Sequence, residues 1–257
     1  MLTLLLLLPL LYLIVALLMY RYQEKFIFFP TTLALDYPFP QFHDFEEVFL
    51  EVEAGTRLHA LYFLAPEPKG QVLYFHGNAR AVDDWGYAAA DLRDRGYSVL
   101  MPDYRGYGKS TGTISEAALY ADARRWCDWL EASAPEARLL YYGRSLGSGI
   151  ASRLAYERPP ERLILETPYT SLLAMAKLQM GFLPVDLLSR YRFPTDQIME
   201  DIDCPIDLIH GTEDELIPYA QAQQLGRGRA TLHTIPGGGH NDLSQFPAFH
   251  QVLDQLL

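Results

Sequence analysis

From residue 71 onward the chain repeats one arrangement: a short apolar run, a turn, and a stretch with helical periodicity. The runs Gln71–Phe75, Tyr97–Tyr104, Ala137–Gly143, Arg162–Glu166, Pro205–Gly211 and Thr231–Gly237 do not alternate apolar with polar residues. Strands covered on both faces must read this way. Among them, Ala81–Arg95, Glu116–Ser133, Leu146–Tyr156 and Phe246–Leu257 read as helices. Glu46–Glu53 and Arg57–Leu64, separated by Ala54, Gly55 and Thr56, read as an opening hairpin. The alternation predicts an α/β protein built on a mostly parallel, doubly wound sheet. In Glu116–Ser133 the spacing places Ala117, Tyr120, Ala121, Trp126 and Leu130 inside and leaves Asp122, Arg124 and Glu131 mostly to water. One segment departs from the pattern. Tyr169–Glu200 holds no strand but many apolar residues, among them Leu172, Met175, Leu178, Met180, Phe182 and Leu183. It reads as a helical cap inserted over residues 168–200, either a lid that shapes an acyl pocket or packing on the sheet edge.

The first residues are a different material. Leu2–Met19 carries no charge, and at 1.5 Å per residue a helix of that length matches a hydrocarbon layer ~30 Å thick. Pro9 removes one backbone donor, which membrane helices tolerate. A secretory signal would show a basic region before the apolar run and a small-residue cleavage site after it, and neither occurs. Residues 1–22 therefore read as a transmembrane anchor and 23–257 as the attached domain. Tyr20, Tyr22, Phe26, Phe28 and Phe29 follow as an interfacial aromatic belt, and Arg21 and Lys25 place that side, with the rest of the chain, in the cytoplasm. A single-pass cell-membrane protein is expected.

A formal net charge of −11, with no basic stripe to offset it, excludes nucleic acid as a partner. Cys127 and Cys204 lack the spacing of a zinc site or a disulfide framework and read as small buried hydrophobes.

The chemistry begins at Gly143-Arg-Ser-Leu-Gly147, the pattern G-x-S-x-G. A chain this long shows that pattern by accident about one time in ten, so its position has to decide. Ser145 falls between a predicted strand and a predicted helix, the turn a nucleophile elbow requires. A serine hydroxyl needs a base, and the base an orienting acid. Of the seven histidines, His43 and His59 precede the core of the sheet, His233 lies within a strand, and His250 lies in the last helix. His240 ends a glycine-rich loop after the last strand, able to carry an imidazole over the carboxyl ends of the strands, where open α/β sheets bind ligands. Glu213, Asp214 and Glu215 leave the strand before it, and Asp214 is the choice among them, with Glu166 as the rival. The oxyanion takes the Leu146 amide and a second amide after Phe75, from Asn78 or, failing that, Gly77. His76 and His210 read as loop-ordering hydrogen bonders. The order Ser145, Asp214, His240 is the one expected of an α/β-hydrolase.

FHGNA, DYRGYGKSTG, YGRSLGSG, LIHGTEDELIP and GGGHNDL, in that order, resemble the α/β-hydrolase superfamily. The apolar N-terminus followed by EKFIFFP is similar to its membrane-tethered serine hydrolases with a single helical anchor. The resemblance runs from about Phe26 to the C-terminus. It implies Ser145 as nucleophile, His240 as base, Asp214 as acid and an oxyanion hole at Asn78 and Leu146. It also implies hydrolysis of carboxylic esters, acyl thioesters or lipids, with no metal and no organic cofactor. Two alternatives stand beside that reading: an amidase or peptidase using the same triad, and a non-catalytic tethered binding protein on the same fold.

Overall fold

The computed structural model describes residues 2–257, with side chains from residue 7 onward. Eight strands form one sheet: β1 Phe45–Glu53, β2 Thr56–Phe63, β3 Gly70–Phe75, β4 Tyr97–Asp103, β5 Leu139–Arg144, β6 Arg162–Glu166, β7 Ile206–Gly211 and β8 Thr231–Ile235. Their spatial order is β8-β7-β6-β5-β3-β4-β2-β1. The pairs β1–β2 and β2–β4 are antiparallel and the others parallel. Every residue of β3, β4 and β7 is buried, which is why those runs could not alternate. The edge strand β1 does alternate in part.

Helices cover both faces. α1 is Leu2–Tyr22, α2 Val82–Asp94, α3 Glu116–Ser133 and α4 Leu146–Glu157. α5 is Leu172–Met180, α6 Val185–Leu188, and the C-terminal α7 Pro247–Leu256. One core lies under α3 and α4, built on Trp126, Leu130, Ile150 and Leu154. The other lies under α2 and α7, built on Val82, Leu92, Phe249 and Leu253.

α3 corrects one expectation. Its inward stripe is Leu119, Ala123, Trp126, Cys127 and Leu130, and Asp122 is buried within it while Ala117 is exposed. Asp122 sits there because Arg105 donates to both its carboxylate oxygens, at 2.8 Å each. A paired charge is admitted where a lone one is not.

Between β6 and β7 the chain forms α5, α6 and a single turn at Thr195–Ile198. Ser171 caps α5 by accepting from the Ala174 amide, and the Arg192 and Phe193 amides donate to Glu116 at the start of α3. The rest of this insertion leans on α1. Ala16 packs with Leu183 and Val185, and the Tyr12 hydroxyl donates to the Phe182 carbonyl at 3.1 Å. Gln23 donates to the Leu188 carbonyl at 3.2 Å and accepts from the Arg190 amide at 2.8 Å. Part of the span expected over Leu2–Met19 falls on residues 2–6, whose side chains lie outside those described. Among the described residues no helix is long and apolar enough to cross a membrane.

The segment after α1 differs from a plain aromatic belt. Phe28 is buried, edge-on to Tyr191 at 5.0 Å. Phe29 and Pro30 pair in parallel with Ala79 and Arg80. The chain is thus stitched to the loop after β3 before the main sheet begins.

Candidate active site

Ser145 is the residue at which β5 becomes α4. Its backbone, at φ 51° and ψ −116°, lies in a region that costs a non-glycine residue about 1–3 kcal/mol. It is held there by its own amide, which donates to the Glu166 carbonyl at 2.9 Å. The flanking glycines are there for close approach. A Cβ at Gly147 would stand 2.0 Å from the Phe75 carbonyl oxygen, and one at Gly143 2.5 Å from the Gly147 carbonyl oxygen. The turn therefore lifts the hydroxyl above the carboxyl ends of the strands. Leu146 is the first residue of α4, so its amide has no intrahelical acceptor.

The loop between β8 and α7 carries His240. Its Nε2 lies 3.1 Å from Ser145 Oγ and its Nδ1 2.8 Å from Asp214 Oδ2. The other Asp214 oxygen accepts from the Leu216 and Ile217 amides at 2.9 and 2.7 Å. Burial alone would raise the Asp214 carboxyl. The contacts from His210 and His240, with the Ile217 amide, outweigh it and hold the group well below the usual carboxylate range. Glu213 and Glu215 are exposed, and Glu215 Oε2 accepts from the His240 backbone amide at 3.4 Å without reaching its ring. Glu166 turns away to Arg144 Nε at 3.2 Å and the Tyr142 hydroxyl at 2.6 Å, with no contact to His240 among the described residues.

Asn78 lines the same cavity as Ser145, Leu146 and His240. Its position is set from three sides. The side-chain amide donates to the Ile27 carbonyl at 2.8 Å, and the Asn78 backbone carbonyl accepts from the Phe29 amide at 3.0 Å and the Tyr107 hydroxyl at 2.6 Å. Gly77 lies in the same loop, and a Cβ there would meet the Trp85 ring at 2.8 Å. His76 is wholly buried and contacts its neighbour's carbonyl, Gly77 O, through Nδ1 at 2.7 Å. Burial pushes its pKa down, as befits a neutral ring that orders the loop.

Three contributors escape a reading of the sequence. His210 Nε2 lies 3.2 Å from Asp214 Oδ2, a second imidazole on the acid. Arg144 reaches the His240 carbonyl at 3.3 Å and lies over Trp85, 5.0 Å from the ring centre. Ile27 holds Asn78 through its backbone carbonyl, which no side-chain pattern encodes. The i, i+4 spacing of His210 and Asp214 was the available signal for the first.

Ser145 opens into a cavity of about 590 Å³, within the range that takes a small organic ligand. Its walls come from the insertion (Leu172, Met175, Ala176, Met180, Leu183, Leu188), from the N-terminal segment (Met19, Phe26, Ile27) and from Ile217. Among the described residues no Asp, Glu, Lys or Arg lines it. Among the same residues no cluster of His, Cys, Asp and Glu is arranged to hold a metal ion.

Comparisons with known proteins bear on the fold and the family. A family model described as serine aminopeptidase, S33, matches residues 66–195. An uncharacterized protein of Mycobacterium tuberculosis is 33% identical over 229 residues, which cover 86% of this chain and 81% of that one. The lysophosphatidylserine lipase of Mus musculus is 32% identical over 207 residues, 71% of this chain and 50% of its own, so the chain spans about half the length of that lipase. Among solved structures, an esterase from Pyrococcus furiosus superposes with a TM-score of 0.71 at 19% identity, covering 89% of this chain and 98% of its own. A soluble variant of monoglyceride lipase from Saccharomyces cerevisiae gives 0.65 at 16% identity, over 85% and 97%. With an elbow serine on a sheet of this order and a family match over half its length, the chain belongs to the serine aminopeptidase S33 family, serine hydrolases of the α/β-hydrolase superfamily.

Proposed function

We propose that the protein is a membrane-anchored serine hydrolase that cleaves carboxylic esters or acyl thioesters of lipid-like substrates. The observation that carries this reading is the run of contacts from Asp214 through His240 to Ser145, at 2.8 and 3.1 Å, at the floor of an uncharged, apolar cavity. His240 Nε2 takes the Ser145 proton as Oγ bonds to the acyl carbon, and the amides of Leu146 and Asn78 receive the oxyanion. The tetrahedral adduct collapses, the bond to the alcohol or thiol breaks, and His240 returns the proton to that leaving group. His240 then deprotonates water, which attacks the acyl-enzyme, releases the acid and restores the serine. Each oxyanion donor is worth ~2.7–4 kcal/mol of transition-state stabilisation.

The family's description favours a second reading, removal of amino-terminal residues from peptides. The cavity weighs against it, since a peptide ammonium would be desolvated there without a counter-charge. Residues 168–200 then act as a cap over the acyl group, and residues 1–22 as the anchor of the domain 23–257. Supporting the anchor are the uncharged run Leu2–Met19 and the exposure of Leu7, Leu8, Leu10, Leu11, Leu13 and Leu17 around α1, a helix apolar on every side. Arg21 and Lys25 assign the domain to the cytoplasm.

A fluorophosphonate probe tests the chemistry. Wild type is expected to label and to hydrolyse acyl esters in preference to aminoacyl amides, while Ser145→Ala does neither and His240→Ala labels at least 10²-fold more slowly. Equal labelling of wild type and Ser145→Ala would remove the assignment, and a preference for the amides would transfer it to the second reading.

A further inference from the structure

The insertion carries an apolar surface that the domain does not cover. Leu178, Phe182 and Leu187 are 60%, 68% and 83% exposed, and none of them lines the cavity. Between Leu172 and Leu188 the sequence holds two charges, Lys177 and Asp186, and they pair with each other at 2.7 Å. The stretch therefore presents no net charge.

Its height along α1 is also set. The Tyr12 hydroxyl meets the Phe182 carbonyl, Ala16 packs on Leu183 and Val185, and Gln23 holds Leu188 and Arg190. Tyr12 precedes Tyr22 by about 15 Å of helix, half the thickness of a ~30 Å hydrocarbon layer. Whatever surrounds the second half of α1 must also surround Phe182.

We propose that the insertion is immersed in the lipid leaflet beside α1, with Leu178, Phe182 and Leu187 among the acyl chains, and that the cavity takes its substrate from that leaflet. This rests on the reading of α1 as a membrane anchor. Continuity supports it: Met19 of α1 and Met180, Leu183 and Leu188 of the insertion wall the cavity directly beneath the exposed surface. A lipid that moves between the two never brings its acyl chain into water. Exposed apolar groups of this size otherwise mark an interface, and here the neighbouring helix states which one.

Nitroxide labels in the full-length protein, reconstituted in phosphatidylcholine vesicles, measure the depth. Leu187→Cys and Phe182→Cys are compared with Glu67→Cys on an exposed turn of the domain; Cys127 and Cys204 are buried. At positions 182 and 187 the label is expected to be open to oxygen and closed to a water-soluble nickel chelate, and at 67 the reverse. Nickel access at 187 equal to that at 67 overturns the proposal. So does a label closed to both reagents, as under a second copy of the chain.

In parallel, the double variant Phe182→Glu, Leu187→Glu is expected to lose at least tenfold in kcat/KM on a monoacylglycerol carried in vesicles. Hydrolysis of a soluble butyrate ester stays within twofold. Equal losses on both substrates overturn the proposal. The two readings fail separately: an unreactive Ser145 removes the enzyme and leaves the depth measurement standing, whereas an aqueous label at 187 removes the immersion and leaves Ser145 standing.

Discussion

Asp214 shows how much a single side chain draws from its surroundings. Two backbone amides fill one carboxylate oxygen, and two imidazoles approach the other. The group stays ionised in the folded protein at pH values where the unfolded chain already binds a proton. Its contribution to stability is therefore complete above pH ~4 and is lost as pH falls toward the depressed folded value. The urea midpoint of wild type should decline more steeply below pH ~4 than that of Asp214→Asn. The same substitution keeps the shape of the acid and removes its charge, so kcat on a soluble ester is expected to fall about 10⁴-fold. Ser145 and His240 were legible in the sequence because a G-x-S-x-G between strand and helix and a histidine after the last strand each occupy a topological position. The choice of Asp214 from three consecutive acids was not, since spacing alone does not say which one the turn buries. His210 was legible only as a loop-ordering hydrogen bonder, because its contact with Asp214 is defined by the way the following turn folds back.

At the scale of elements, the apolar runs marked every strand of the sheet to within two residues. Both-face burial leaves a composition signal that needs no partner to be read. α3 was harder, because hydrophobic spacing treats an acid as solvated and so displaced the inward stripe from Leu119 and Ala123. What the pattern lacked was Arg105, seventeen residues away in sequence. Asp122→Ala leaves that guanidinium buried with only the half-exposed Glu53 as a partner. Removing one member of a buried pair costs about 3–5 kcal/mol, and the remaining acid puts the expected loss near ~3 kcal/mol, measured by urea denaturation. The insertion was visible as a break in the alternation, but its docking on α1 was not. Tyr12, Gln23 and Phe182 carry no motif, and their contacts join residues about 165–170 positions apart.

For the whole molecule, an apolar helix and a hydrolase domain share one set of contacts. If α1 crosses the bilayer, alkaline carbonate should leave the full chain in the membrane pellet and detergent should release it. A C-terminal alkaline phosphatase fusion, active only outside the cytoplasm, should be silent. An active fusion would reverse the sidedness assigned by Arg21 and Lys25. The ties of Gln23 to Leu188 and Arg190, and of Ile27 and Phe29 to Asn78, follow α1 almost at once. A leash normally leaves its cargo free to tumble and to search a hemisphere of volume; this one has no slack. If α1 is the proposed anchor, the domain is mounted rather than tethered: the orientation of Ser145 toward the bilayer is then a property of the fold, and encounter with a membrane-borne substrate becomes a two-dimensional problem of lateral diffusion.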